Sequence, residues 1–245
     1  MSTADRIERE RQAKRALILE AARELFLERG YEAVTLREIA QRIEHSTTAV
    51  YVHFKDKRDL MEQMVAEDFA VFAAALQTAA EVKPARARLG KLGVAYVEFA
   101  LRLPRHYQLL FLTPQPADAR RNPVDRGTPG IDGFDLLVAT VEEAMADGVF
   151  RPELRDARAI AQAIWAAVHG LVSLFIILGD VPHFEWRSPE TLLEVLMGSL
   201  MRGLSADGAG LPPLPRSAPA ASPPAASPPK ANRQTSRGRG TRTAR

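Results

Sequence analysis

Residues 35–54, TLREIAQRIEHSTTAVYVHF, constrain the fold more than any other stretch, because they encode two short helices with only a few residues between them. Thr35 and Glu38 have the spacing of a capping box, in which each side chain covers an otherwise unpaired backbone N–H, and Val34 and Ile39 supply its hydrophobic staple. Leu36, Ile39, Ala40 and Ile43 recur on one face, which leaves Arg37, Gln41 and Arg42 toward water. Ser46 has the chemistry to cap the second helix, whose inward residues are Ala49, Val50 and Phe54 and whose outward ones are Thr47, Thr48, Tyr51 and His53. Small hydroxyls and a phenol on an exposed face suit a DNA groove. They can bond phosphates or base edges and pack on thymine methyls, and the second helix of such a pair reads bases mainly from its N-terminal part. Asp56 caps a third helix starting at Lys57, where a cation is poorly placed for the helix dipole but well placed for a phosphate. Taken alone, the same caps fit two surface helices of an ordinary all-α protein.

The segment just upstream narrows the choice. Residues 15–31, RALILEAARELFLERGY, form one amphipathic helix with Leu17, Ala21, Leu25 and Ile18, Ala22, Phe26 on its inner face, closed by Gly30. Three such helices can share one small core. The ordered set Ala21, Ala22, Leu25, Phe26, Gly30, Tyr31, Thr35, Arg37, Ile39, Ala40, Ser46, Tyr51, His53, Phe54, Lys57 and Leu60 resembles the N-terminal domain of the TetR family of bacterial transcriptional regulators, over residues 12–72. The resemblance implies an all-α chain: an N-terminal three-helix helix-turn-helix domain, then a larger antiparallel helical domain for ligand binding and dimerisation at 73–204. It also implies a homodimer, a double-stranded DNA operator and a small-molecule effector. Thr47, Thr48 and Tyr51 would lie on the recognition helix, Thr35, His53 and Lys57 at phosphates, and Arg37 and Ser46 complete the candidate DNA-binding set. Two positions depart from the family pattern. Glu44 stands where glycine is common in the turn, and a left-handed conformation there would cost about 1 kcal/mol or more. Thr48 replaces a frequent glycine and adds a side chain in the groove.

The charge belongs to particular regions. Residues 205–245 carry seven basic side chains and one acid, a surplus of six, so the overall +3 leaves the preceding 204 residues at about −3. DNA affinity must therefore come from the helix-turn-helix and from the basic N-terminal arm at 1–11 with its neighbours: Arg6, Arg9, Arg11, Lys14 and Arg15. The Pro, Ala and Ser-rich, then Arg-rich, tail at 205–245 has almost nothing to bury and is expected to be disordered. It reads either as a sequence-independent arm along phosphates or as a solubilising extension. With no cysteine, disulfides, thiolate chemistry and Cys-ligated zinc are excluded, and with no recognisable signal peptide the expected location is cytoplasmic.

Residues 60–80 continue the third helix, with Leu60, Met61, Met64, Val65, Val71, Phe72 and Leu76 facing inward, and 88–103 follow, extended beyond Pro104 by 107–112. The polar stretch 113–133 is a loop, either a lid or disordered. Residues 134–147 form a helix ended by Gly148. Residues 159–178 hold no charge and could span a membrane by length, but Gln162, His169 and the soluble context favour a helix buried on all sides. Helices near 156–178 and 189–204 are the expected dimer interface, the latter capped by Ser188 with Pro189 at its first position. Trp165, His169 and Gly170 resemble a Trp-His-Gly signature of C-terminal domains in some of these regulators. Tyr96, Phe99, Phe111, Trp165 and His169 are the candidate ligand pocket, and each could equally be core packing, His169 as a satisfied core histidine.

No catalytic or metal-binding pattern is present: the five histidines lack ligand spacing and there is no phosphate-binding glycine loop, so neither enzyme activity nor cofactor is expected. The alternative function is a ligand-binding helical protein with only non-specific nucleic-acid affinity from its basic tail.

Overall fold

The computed structural model describes residues 2–114, 133–179, 181–182 and 185–208. Most of the expected 113–133 loop, and the tail beyond 208, lie outside these residues. Helix α1 spans Thr3–Arg29, α2 Leu36–Arg42, α3 Thr47–Tyr51 and α4 Lys57–Gln77. Then come α5 at Ala85–Arg102, a short α6 at Pro104–Tyr107 that widens into a π-helical turn at Gln108–Leu112, α7 at Gly133–Ala146, α8 at Ala157–Leu178 and α9 at Pro189–Leu204.

The first three helices stop and start where local chemistry dictates. Thr35 Oγ1 accepts from the Glu38 N–H at 3.3 Å and a Glu38 carboxylate oxygen accepts from the Thr35 N–H at 2.8 Å, so the expected capping box is formed. Hydrogen bonds from the Thr35 hydroxyl and from Arg29 hold the Glu38 carboxyl down at about 2. Ser46 Oγ accepts from the Ala49 N–H at 3.2 Å, and Asp56 caps α4 through the Asp59 N–H at 2.8 Å. Between α2 and α3, Glu44 takes φ 56°, so the turn keeps the left-handed geometry that glycine would adopt freely and the side chain bears the strain. Ile18, Ala22, Phe26, Val34, Ile39, Val50, Phe54 and Leu60 close over one another as the small core of this part.

Four expectations are corrected. Helix α1 does not begin near residue 15 after an arm: it starts at Thr3, capped by Ser2, whose Oγ accepts from the Asp5 N–H at 3.2 Å while Asp5 accepts from the Ser2 N–H at 2.9 Å. The stretch expected as an arm is therefore helical. Leu17 and Val71 face water rather than the core, because the buried stripes of α1 and α4 run through Ile18 and Phe72 instead. Helix α8 is not covered on every side: Ile160, Ala161, Ile164, Val168 and Val172 are buried, while Leu174, Ile177 and Leu178 are exposed. The tail does not begin at 205: Ser205 is fully buried and bridges Phe150, with the Ala206 N–H donating to Val149 O at 3.0 Å, which fastens the end of α9 to the α7–α8 connection.

Candidate DNA interface and aromatic core

Helix α3 is five residues long, and its orientation is set by two anchors, Val50 and Phe54, both essentially without solvent exposure. That leaves Thr48 exposed and Tyr51 55% exposed, with Thr47 half-buried beside them. Val52, which the sequence reading did not single out, is 67% exposed next to Tyr51 and adds an apolar patch to the same edge. Thr35, Arg37 and Ser46 are exposed as well, although the Thr35 and Ser46 hydroxyls are already used as caps. Lys57 is engaged within the chain: its ammonium donates to Tyr31 O at 2.9 Å and Glu32 O at 3.4 Å and lies 4.3 Å from the Tyr31 ring centroid. His53 is half-buried at the end of α3, where burial first, and then the charges of Arg11, Lys14 and Arg15, hold its imidazole below the ordinary range.

The five candidate pocket residues cluster, but as part of a larger and hydrogen-bonded core. Phe72 of α4 packs edge-on against Tyr96, Phe99 and Phe111, with centroids 5.5, 5.1 and 5.4 Å away. Tyr107 of α6, which the sequence reading did not include, lies at the centre. The Trp165 indole N–H donates to the Tyr96 hydroxyl at 3.2 Å, Tyr96 donates to the Tyr107 hydroxyl at 3.2 Å, and the Tyr107 hydroxyl is 2.6 Å from His169 Nδ1. Burial lowers the His169 imidazole, so it is neutral at pH 7 with one acceptor nitrogen. Assigning that acceptor to Nδ1 gives the indole proton and both phenol protons one partner each. Burial likewise raises both phenols, which stay protonated. The Nδ1 of the partly buried His169 is thus used inside the aromatic cluster, and Trp165, 37% exposed, is the member of the set open to solvent.

Two family descriptions cover most of the chain: "Bacterial regulatory proteins, tetR family" at residues 18–64 and "Tetracyclin repressor-like, C-terminal domain" at residues 89–200. The chain belongs to the TetR family. It is a transcriptional regulator of that family, all-α with an N-terminal helix-turn-helix. It is 28% identical to the HTH-type transcriptional regulator TtgR of Pseudomonas putida over 184 residues, 71% of this chain and 86% of that one. To the HTH-type transcriptional repressor AcnR of Corynebacterium diphtheriae it is 40% identical over 60 residues, 24% of this chain, and spans only 32% of that repressor. A bacterial regulatory protein in the tetR family from Rhodococcus RHA1 superposes with TM-score 0.58 at 25% identity, covering 78% of this chain and 97% of that one.

In this TetR-family regulator the N-terminal helices α1 and α4 and the aromatic core meet at α6. Arg105 Nη1 lies 3.0 Å from a Glu20 carboxylate oxygen and 2.6 Å from one of Glu24, both on α1. His106 Nε2 is 3.7 Å from Asp68 of α4, which is itself buried and bonded by Arg23 of α1 at 2.8 and 3.2 Å. Burial pushes the Asp68 carboxyl up, and the Arg23 fork works against that. Burial lowers His106, although Asp68 pulls the other way. Tyr107, the next residue, points into the core. Sequence reasoning missed Arg23, Asp68 and His106. The one available signal was an Arg and an Asp lying on the otherwise apolar faces of α1 and α4.

Proposed function

We propose that this regulator is a cytoplasmic repressor that binds a pseudo-palindromic operator as a homodimer and is released by a small hydrophobic effector. The observation that carries the reading is α3: Thr48, Tyr51 and Val52 project from a helix whose orientation is fixed by its Ser46 cap and by buried Val50 and Phe54. Thr47, Thr48 and Tyr51 read base edges, while Thr35, Arg37, Ser46 and His53 meet the backbone. Lys57 joins them with the third N–H of its ammonium, since two are used on the Tyr31 and Glu32 carbonyls. A dimer through α8 and α9 is supported by the exposed Leu174, Ile177 and Val195, and by Gly170, where an added Cβ would meet nothing inside the protomer. Two recognition helices must lie about 34 Å apart to enter successive major grooves.

Effector response follows from the adjacency of His106 and Tyr107. A ligand entering beside Trp165 and Tyr96 disturbs the hydroxyl chain that holds Tyr107, and α6 then shifts against Arg23, Asp68 and Glu20. If that shift favours a dimer with the wrong recognition-helix separation, a differential affinity of about 3–5 kcal/mol is enough to empty the operator. Selection of duplexes from a random pool by the full chain tests the reading. Enrichment of one pseudo-palindrome supports it, and recovery of unrelated sequences at equal affinity would remove it.

A further inference from the structure

The first half of α1 has no fold to support. Residues 2–14 are all exposed, yet they continue α1 without a break, and twelve helical residues extend about 18 Å. They are held by their own pairs: the Ser2–Asp5 capping box, Arg6 with Glu10 at 3.6 Å, and Gln12 donating to Glu8 at 2.7 Å. The register of this extension is informative. Ile7, Arg11 and Lys14 fall on the same helical face as Ile18, Ala21 and Leu25, the residues α1 buries in the core. On the N-terminal side of Ile18 that face has no core to cover. Arg15 stacks over the Phe54 ring, 5.4 Å from its centroid, and the charges of Arg11, Lys14 and Arg15 are all felt by His53. Arg15 is already committed to Glu67 and Gln63 of α4. Lys14 makes no ion pair among the described residues, and Arg11 has only an exposed contact of 3.8 Å with Glu8.

We infer that residues 3–14 are a helical rail for the sugar-phosphate backbone flanking the half-site read by α3, with Arg11 and Lys14 as its phosphate-contacting side chains. The inference rests on the DNA-reading role proposed for α3. Two features select this occupant over an acidic protein segment or an anionic lipid surface. The charges of Arg11 and Lys14 act on His53, one turn beyond the stacking of Arg15 on Phe54, so the stripe adjoins the edge that carries His53 and Tyr51, where a duplex read by α3 would present its phosphates. The helix also arrives pre-ordered, so contacts made along it do not cost the entropy of folding an arm.

The test compares two full-length variants of equal charge, Arg11→Gln with Lys14→Gln and Arg6→Gln with Arg9→Gln, on a pool-selected duplex with flanks and on a shuffled duplex. Loss of two phosphate contacts per protomer should flatten the plot of log affinity against log salt by about 1.8 for each protomer, at roughly 0.9 per contact. The first pair should show that change and keep the wild-type preference for the selected duplex, whereas the second should change the slope less than half as much. Glu8→Gln, which frees Arg11, should steepen the slope, an effect that misfolding cannot produce. Trimming the flanks should weaken the wild type and leave the Arg11/Lys14 variant unaffected. Equal slopes for the two pairs, or tighter binding of the wild type to an acidic peptide or anionic vesicles than to duplex, would overturn the rail. Absence of any preference for selected over shuffled DNA in the wild type would instead overturn the reading of α3, and the slope comparison would still judge the rail.

Discussion

Among the described residues, the Thr48 hydroxyl and the Tyr51 phenol on α3 face water with no protein partner, whereas the Tyr96 and Tyr107 phenols are buried and each hydroxyl is used in a chain ending at His169. Both regions are built from the same chemical groups. Open hydrogen-bonding capacity on a well-anchored helix is what a base-reading surface needs. Spent capacity in a low-dielectric core is what makes a small displacement costly, and so able to move a neighbouring element. Helix α6 ties the aromatic core, through Tyr107, to Asp68 of α4, through His106.

The largest effect is expected at the buried ion pair between α1 and α4. Asp68→Ala removes both Asp68 hydrogen bonds from the buried Arg23, leaves it only Glu20 as an ion-pair partner and should cost about 3 kcal/mol in chemical denaturation, while the double change Arg23→Met with Asp68→Leu should recover most of it. Failure of the double variant to recover would mean that the pair does more than satisfy its own charges. Within the core, Tyr107→Phe leaves His169 Nδ1 with only the longer Tyr96 contact, at 3.0 Å, and should cost about 1–3 kcal/mol. The matching change on the open surface, Tyr51→Phe, should stay within about 0.5 kcal/mol. Similar costs for the two would erase the distinction between spent and open capacity. Glu44→Gly relieves the left-handed turn and should add about 1 kcal/mol, a rise in melting temperature of about 2–4 °C. A fall would show that the Glu44 side chain contributes more than its backbone costs.

The smallest effect is a pH dependence. In the free protein the His53 imidazole lies below its ordinary value, so it is neutral at pH 7, and a phosphate at that edge would favour the charged form. DNA binding should then take up a proton, and affinity should rise a few-fold as pH falls from about 8 to 6, levelling once His53 is charged in the free protein too. His53→Gln should flatten that profile, and an unchanged profile in the variant would remove His53 from the phosphate contacts.

The parts of the molecule legible in the sequence are those fixed by neighbours a few residues apart. The Thr35–Glu38 box, the Ser46, Asp56 and Ser188 caps and the positive-φ glycines Gly30 and Gly148 are of this kind. The start of α1 was locally encoded as well, by Ser2 and Asp5, but its first turns carry almost no apolar periodicity, and the signal that normally marks a helix was missing. On a helical wheel Leu17 falls beside buried Ala21 and Val71 between buried Leu60 and Met64, and a wheel does not show where along a helix its packed face loses its cover. The hydroxyl chain and the Arg23–Asp68–His106 junction join residues from different helices, and no local spacing announces them. Tyr96, Phe99, Phe111, Trp165 and His169 could be grouped from the sequence; that Tyr107 organises them could not.

The most direct test of the account is the affinity ratio of the full chain for a pool-selected duplex over its shuffled counterpart at near-physiological salt, measured for the wild type and for Tyr51→Ala. The account predicts at least about a hundredfold preference for the wild type, within the usual range for specific recognition, and its collapse in the variant at unchanged melting temperature. Equal affinity for both duplexes, or a preference that survives Tyr51→Ala intact, would contradict the claim that the exposed side chains of α3 read the sequence.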